Sequence, residues 1–209
     1  MINPATKHRR GLRFAAFAPA VLLLALAVGC GNGDDHDGHS GPLSATKHNG
    51  ADVAFASDMI QHHAQALAMV NLTAERPMDP EFQKLSEGIR DAQGPEIETM
   101  TDWLDEWGEE VPETVNDHMN HDMGTMPEGT EDMPGMMTAD EMEELEKSSD
   151  AEFQKMWLDM MIRHHRGAID MAEDEVQDGQ FKPAVELAKS ILAAQKVEIE
   201  EMKGLLVTL

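Results

Sequence analysis

Apolar residues recur at three- and four-residue intervals over about residues 51–76 and 80–107, and again over about 150–177 and 183–207. That spacing is one face of an α-helix. The first pair of stretches is broken by the turn "RPMDPE", where Asp79 can cap and Pro80 suits the first helical position. In the second pair Asp150 is the expected cap, "DGQFKP" makes the turn and Pro183 opens the last helix. Between the pairs, Thr138 and Glu141 form a capping box that predicts a short helix over about 139–147. Two helical hairpins joined by a long crossover, residues 108–149, predict an all-α protein, a four-helix bundle.

The two hairpins read alike. "MIQHHAQALAM" at 59–69 and "MIRHHRGAIDM" at 161–171 both spell Met-Ile-x-His-His-x-x-Ala-x-x-Met, the second starting at 161 where the first starts at 59. At the same offset, without a gap, Phe55 meets Trp157, Leu85 meets Leu187 and Ile89 meets Ile191. Gln93 meets Gln195, Glu96 meets Glu198, Met100 meets Met202 and Leu104 meets Leu206. The pattern is that of a duplicated unit, repeat one over 51–107 and repeat two over 150–207.

At about 100° per residue, Met59, His63, Ala66 and Val70 share one stripe, with His62 and Met69 beside it. On the following helix Gln93 and Glu96 fall on the stripe of Ile89, Met100 and Leu104. Repeat two places Met161, His164, His165, Met171, Gln195, Glu198 and Met202 in the same way. A face that should be apolar therefore carries four His, two Glu and two Gln. Burying such groups is costly unless they pair or coordinate something. Two readings follow. One is a structural network of His, Glu and Gln without metal. The other is a metal site with His, Met and Glu as ligands and Gln93 and Gln195 behind them, orienting the imidazoles. Imidazole with thioether favours Cu(I) among transition metals. A ferritin-type di-iron enzyme wants Glu-x-x-His on two helices, which neither motif supplies.

Composition narrows the partners. Lys and Arg number 16 against 40 Asp and Glu, a net charge of −24, so no nucleic acid is expected. Lys7, Arg9, Arg10 and Arg13 precede an apolar run from Phe14 to Val28, which reads as a signal peptide, residues 1–29. "LAVGC" puts a small residue before Cys30, the single cysteine, and resembles a lipobox. The expectation is an exported chain held to the membrane by lipid on Cys30, with no disulfide. Residues 30–49, rich in Gly, Asp, Ser and His, read as a flexible tether. With Cys30 committed to lipid and no Ser/His/Asp arrangement in view, the chain is not expected to be an enzyme.

The crossover carries its own signal. "DHMNHDMGTMPEGTEDMPGMM" has no helical or strand period and holds His118, Met119, His121, Met123, Met126, Met133, Met136 and Met137. Methionine in a solvated loop buries little, so these residues are candidates for an auxiliary metal loop. The competing reading packs them on the bundle.

The doubled "MIxHHxxAxxM", each copy followed by "I…Q..EI..M", together with "MPGMM" before the second copy, resembles the domain of unknown function 305 family. The resemblance covers about residues 50–207 and implies a ferritin-like four-helix bundle. Some members resemble exported copper-binding proteins with His and Met ligands. This implies Met59, His62, His63, Met69, Glu96 and Met100, with their repeat-two counterparts, as candidate ligands. The expected activity is sequestration or transfer of Cu(I), with a copper donor or acceptor protein as partner. A ferritin-type redox enzyme using another transition metal, and a metal-free structural bundle, remain the alternatives.

Overall fold

The computed structural model describes residues 42–74, 76–114 and 133–209. Cys30, the expected signal peptide, and His118, Met119, His121, Met123 and Met126 lie outside the described residues. The chain forms α1 (Gly50–Asn71), α2 (Pro80–Trp107), α3 (Ala139–Lys147), α4 (Asp150–Asp178) and α5 (Lys182–Thr208). The fold is all-α, as expected. Among the described residues no helix is long and apolar enough to cross a membrane.

The caps explain where the helices begin. Asn49 accepts from the backbone amides of Ala51 and Asp52, while Asp52 accepts from the Asn49 amide, closing a capping box. Asp79 caps α2 with Pro80 in its first turn, and Thr138 with Glu141 caps α3, both as read from sequence. α4 differs. Ser149, not Asp150, is its N-cap, and no side-chain bond caps it. Asp150 is instead the first helical residue and ion-pairs with Arg76 at 3.1 Å. α1 also stops at Asn71, before the expected residue 76. Arg76 is drawn away to the carbonyls of Glu146 and Ser148 and lies over the Phe153 ring, 4.2 Å from its centroid.

α1 packs most extensively on α2, and α4 on α5, so each hairpin is a unit; α1 and α4 then pack on each other. α1 and α4 run antiparallel. Trp157, early in α4, donates its indole N–H to the Met69 carbonyl late in α1 at 2.9 Å. At the other end buried Asp52 accepts from the amides of Gln180 and Phe181, in the α4–α5 turn. The last tether residues are bound there too: Ser44 pairs its backbone with Gln180 and Lys182, 2.7 Å on each side of a single bridge to Phe181.

The apolar core is split in two. One cluster joins Val70, Phe82, Phe153, Trp157, Met161 and Met202 with their neighbours. The other joins Phe55, Met59, Met100, Leu104, Ala172 and Ile191. The antiparallel arrangement puts these clusters at opposite ends of the bundle. Between them, in chain position, fall His62, His63, Gln93, Glu96, His164, His165, Gln195 and Glu198.

Candidate metal centre

His62, His63, His164 and His165 are fully buried, and Gln93 and Gln195 nearly so. The helix period makes this unavoidable. Each His pair occupies positions bracketed by buried Met59 and Ala66 in α1, and by Met161 and Ala168 in α4, so the stripe that faces the core carries the imidazoles inward.

Within each hairpin one imidazole is oriented by a carboxylate. His63 Nε2 lies 2.8 Å from Glu96 Oε2, and His165 Nε2 lies 2.7 Å from Glu198 Oε2. The carboxylates accept and the ring nitrogens donate. Each Glu keeps 19 % of its side chain exposed, so its charge stays partly hydrated while the ring is sealed. Between hairpins, the His62 and His164 rings meet with centroids 3.8 Å apart and a 38° tilt. His62 Nε2 donates to the Pro134 carbonyl at 3.0 Å. The remaining ring nitrogens, Nδ1 of His62, His63 and His165 and both nitrogens of His164, have no hydrogen-bond partner.

Electrostatics keep the central pair neutral. Burial, and after it the neighbouring His63, pushes the His62 imidazole down to about 3. Burial and then His62 hold His164 well below its ordinary value. A neutral imidazole with one protonated nitrogen has a lone pair on the other, which is the form that ligates a metal. The donor set is thus buried, uncharged at its centre and short of partners. Native interiors rarely leave so many buried polar atoms unbonded.

The other predicted residues are placed as follows. Met59 and Met100 border the layer from one apolar cluster, Met161 and Met202 from the other, all four without exposure. Met69 is buried further along α1, and Met171 is only partly buried on α4. Gln93 has neither side-chain atom bonded and Gln195 has an unbonded Oε1, so Glu96 and Glu198 are the side chains that hold imidazoles here. Met137 is fully buried and Met136 nearly so, packed on the bundle, and Met133 is half-buried. As the side chains stand, no three His, Cys, Asp or Glu groups among the described residues converge closely enough to hold an ion.

Sequence reading passed over Gln65, Gly135, Arg163 and Gly167. Gln65 is fully buried and exchanges two hydrogen bonds with the Met137 backbone, 2.8 Å from Nε2 to the carbonyl and 2.7 Å from the amide to Oε1. Arg163 reaches Met137 Sδ and Glu141, each at 2.7 Å. Gly135 has φ +78° and lies against the α4 backbone, where a methyl group would sit 2.5 Å from the Arg163 carbonyl. The Pro134-Gly135 dipeptide was the available signal for a tight turn.

A four-helix bundle whose midplane gathers histidines from two similar hairpins defines a helical protein with an internal donor layer. The chain belongs to the family described as domain of unknown function, DUF305, whose profile matches residues 52–206. It is similar to a DUF305 protein of Streptomyces coelicolor described as secreted, at 30% identity and TM-score 0.65, covering 76% of this chain and 91% of that one. A DUF305 fragment from Deinococcus radiodurans is 27% identical, with TM-score 0.66 over 77% of this chain and 98% of that one. CopM, solved in a Cu(II)-bound form, is 25% identical, with TM-score 0.60 over 75% of this chain and 96% of that one. CopM in a Cu(I)-bound form gives 25% identity and TM-score 0.57 over 73% and 93%. No curated protein matches the sequence.

Proposed function

We propose that this chain is an exported copper-binding protein that takes Cu(I) at the polar layer and sequesters it or hands it on. The observation that carries the reading is the set of buried ring nitrogens without partners, five in all, on His62, His63, His164 and His165. These residues suit a soft, singly charged ion. Neutral imidazole and thioether are its preferred donors, and it accepts fewer ligands than Zn²⁺ or Fe²⁺ demand. Met59, Met100, Met161 and Met202 supply thioethers at the edge of the layer. Glu96 and Glu198 would act behind His63 and His165, fixing their rings and the tautomer that leaves Nδ1 as the donor atom. The solved copper-bound forms of CopM support the same choice of metal.

The test is a Cu(I) competition titration against a chromogenic chelator, with elemental analysis of the purified protein. His63→Ala combined with His165→Ala should abolish the tightest class of sites. Unchanged tight binding in that variant would move the site off the bundle.

A second reading has its own support. The His63–Glu96 and His165–Glu198 pairs give both imidazoles a partner within their own hairpins, and no three potential ligands of the His, Cys, Asp and Glu types converge among the described residues. On that reading the layer is structural and fixes which helix faces meet. A melting temperature indifferent to copper and to chelator would favour it. Lipid attachment at Cys30 belongs to the proposal of export, as does a copper-exchanging partner protein.

A further inference from the structure

The turn Met133–Met137 lies across the junction of the two hairpins and treats them unequally. Its contacts fall on matching places in the two motifs. Gln65 and Gly167 occupy the same place in "MIQHHAQALAM" and "MIRHHRGAIDM". Gln65 grips the Met137 backbone with both ends of its amide. Gly167 gives room: a methyl group there would overlap the Pro134 carbonyl and crowd the Gly135 amide. Arg163, which holds Met137 Sδ and Glu141, stands where the first motif has Gln61. The turn is therefore seated on the positions at which the two motifs differ.

Its effect on the invariant positions is also one-sided. The Pro134 carbonyl accepts from His62 Nε2 at 3.0 Å, whereas the matching His164 makes no hydrogen bond of ordinary geometry at either nitrogen and has only the His62 backbone as a weak polar neighbour. A carbonyl can only accept, so the His62 proton must sit on Nε2, and Nδ1 is left as the ring's lone-pair atom.

We infer that Met133–Met137 is a positioning strap, locked by Gln65 and admitted by Gly167, that fixes the tautomer and ring orientation of His62 so that Nδ1 alone is offered to a soft monovalent metal ion, while no strap contact fixes the matching His164. This rests on the proposed copper function for its consequence, but not for the tautomer itself. The strap does for His62 what Glu96 and Glu198 do for His63 and His165. Such outer contacts commonly change metal affinity by about 10–100-fold.

The test uses the full chain. Gly167→Ala should displace the strap, because the added methyl meets backbone atoms that cannot rotate away. Gln65→Met removes both clasping bonds at similar volume and serves if Gly167→Ala does not fold. Gly204→Ala, on α5 with open space around it, is the control. Long-range proton–nitrogen NMR of the metal-free protein reads the His62 tautomer. Cu(I) competition reads the affinity, and circular dichroism reads the helix content. The expected result is an Nε2–H tautomer in wild type and in Gly204→Ala. The strap variants should give a mixed or Nδ1–H signal, about tenfold or more weaker tight binding and unchanged helicity. An Nδ1–H tautomer in wild type overturns the inference, as do strap variants that keep both tautomer and affinity. If wild type lacks tight Cu(I) binding, the proposed function fails, and the tautomer measurement alone decides the strap.

Discussion

His62 and His164 come from matching places in two hairpins, and their imidazoles meet at 3.8 Å between centroids with three of four ring nitrogens unbonded. Each unsatisfied buried polar group costs about 1–3 kcal/mol. Replacing both rings by leucine removes that cost at a core position. The metal-free His62→Leu/His164→Leu protein should therefore melt no lower than wild type, and up to several degrees higher. It should also lose tight Cu(I) binding. Loss of cooperative melting in this variant would mean that the rings hold the layer together.

Glu96 and Glu198 accept from His63 and His165 at 2.8 and 2.7 Å. Glu96→Gln and Glu198→Gln keep the shape and remove the charge. Each should weaken tight Cu(I) binding by about tenfold, with little change in melting temperature because both carboxylates are partly exposed. Equal losses from the two variants are expected from their matched geometry. A loss confined to one hairpin would show that a single half of the layer binds.

Because Met136 and Met137 are buried in the strap, the crossover methionines are not one class. Serine at His118, Met119, His121, Met123 and Met126 should lower the number of copper equivalents bound and leave the tight class intact. Serine at Met137 should destabilise the fold, by about 2–5 kcal/mol as for large-to-small core changes. Disappearance of tight binding in the first variant would place the tight site in the crossover.

Glu175 is buried on α4, and burial pushes it up to about 9, with Asp52 beside it and Asp178 as further causes. A carboxyl raised in the folded state from an ordinary 4.5 binds its proton more tightly folded than unfolded. Its stabilisation is complete below about 4.5 and is lost as pH rises through about 9. Glu175→Gln cannot ionise. It should raise the melting temperature relative to wild type, and by more at pH 8 than at pH 5. Each kcal/mol regained corresponds to about 2–4 °C in a chain of this size. Equal shifts at the two pH values would show that Glu175 ionises freely when folded.

Cys30→Ser should move the protein from the membrane fraction to the soluble fraction without changing its melting temperature. Residues 44–49, which bind the α4–α5 turn and cap α1, remain in place in that variant. A wild-type protein that is already soluble and begins at a residue other than 30 would dispose of the lipid anchor.

The helices were readable because their signals are local: the capping residues Asp79, Thr138 and Glu141 and the three-and-four spacing act within a few turns. The polar stripe was readable for the same reason, since a wheel fixes the angle of His63 relative to Met59 on one helix. It does not fix what that face meets. That His63 turns to Glu96 within its hairpin while His62 turns to His164 across hairpins depends on how two helices are rotated against each other. The strap was hidden for a third reason. Residues 133–137 have no period, and their place is set by a clasp from Gln65, 72 residues away, and by the absence of a side chain at Gly167. α1 ends at Asn71, short of the turn signal at Pro77, and Arg76 beyond it is held by the distant Glu146 and Ser148 carbonyls, a tertiary contact that a local pattern does not encode.

The divided core has a consequence for how such a chain can change over time. Each apolar cluster closes its own end of the bundle with rings and aliphatic side chains outside the donor set, such as Phe82 and Trp157 at one end and Phe55 and Leu104 at the other; only the bordering Met59, Met100, Met161 and Met202 belong both to a cluster and to the donor set. Substitutions that swap one donor for another at the midplane leave both ends able to fold. Apart from those four methionines, selection for a particular ion and selection for a stable fold therefore act on different residues of the same helices. A protein built this way can trade one cargo for another, or keep none, and remain the same bundle.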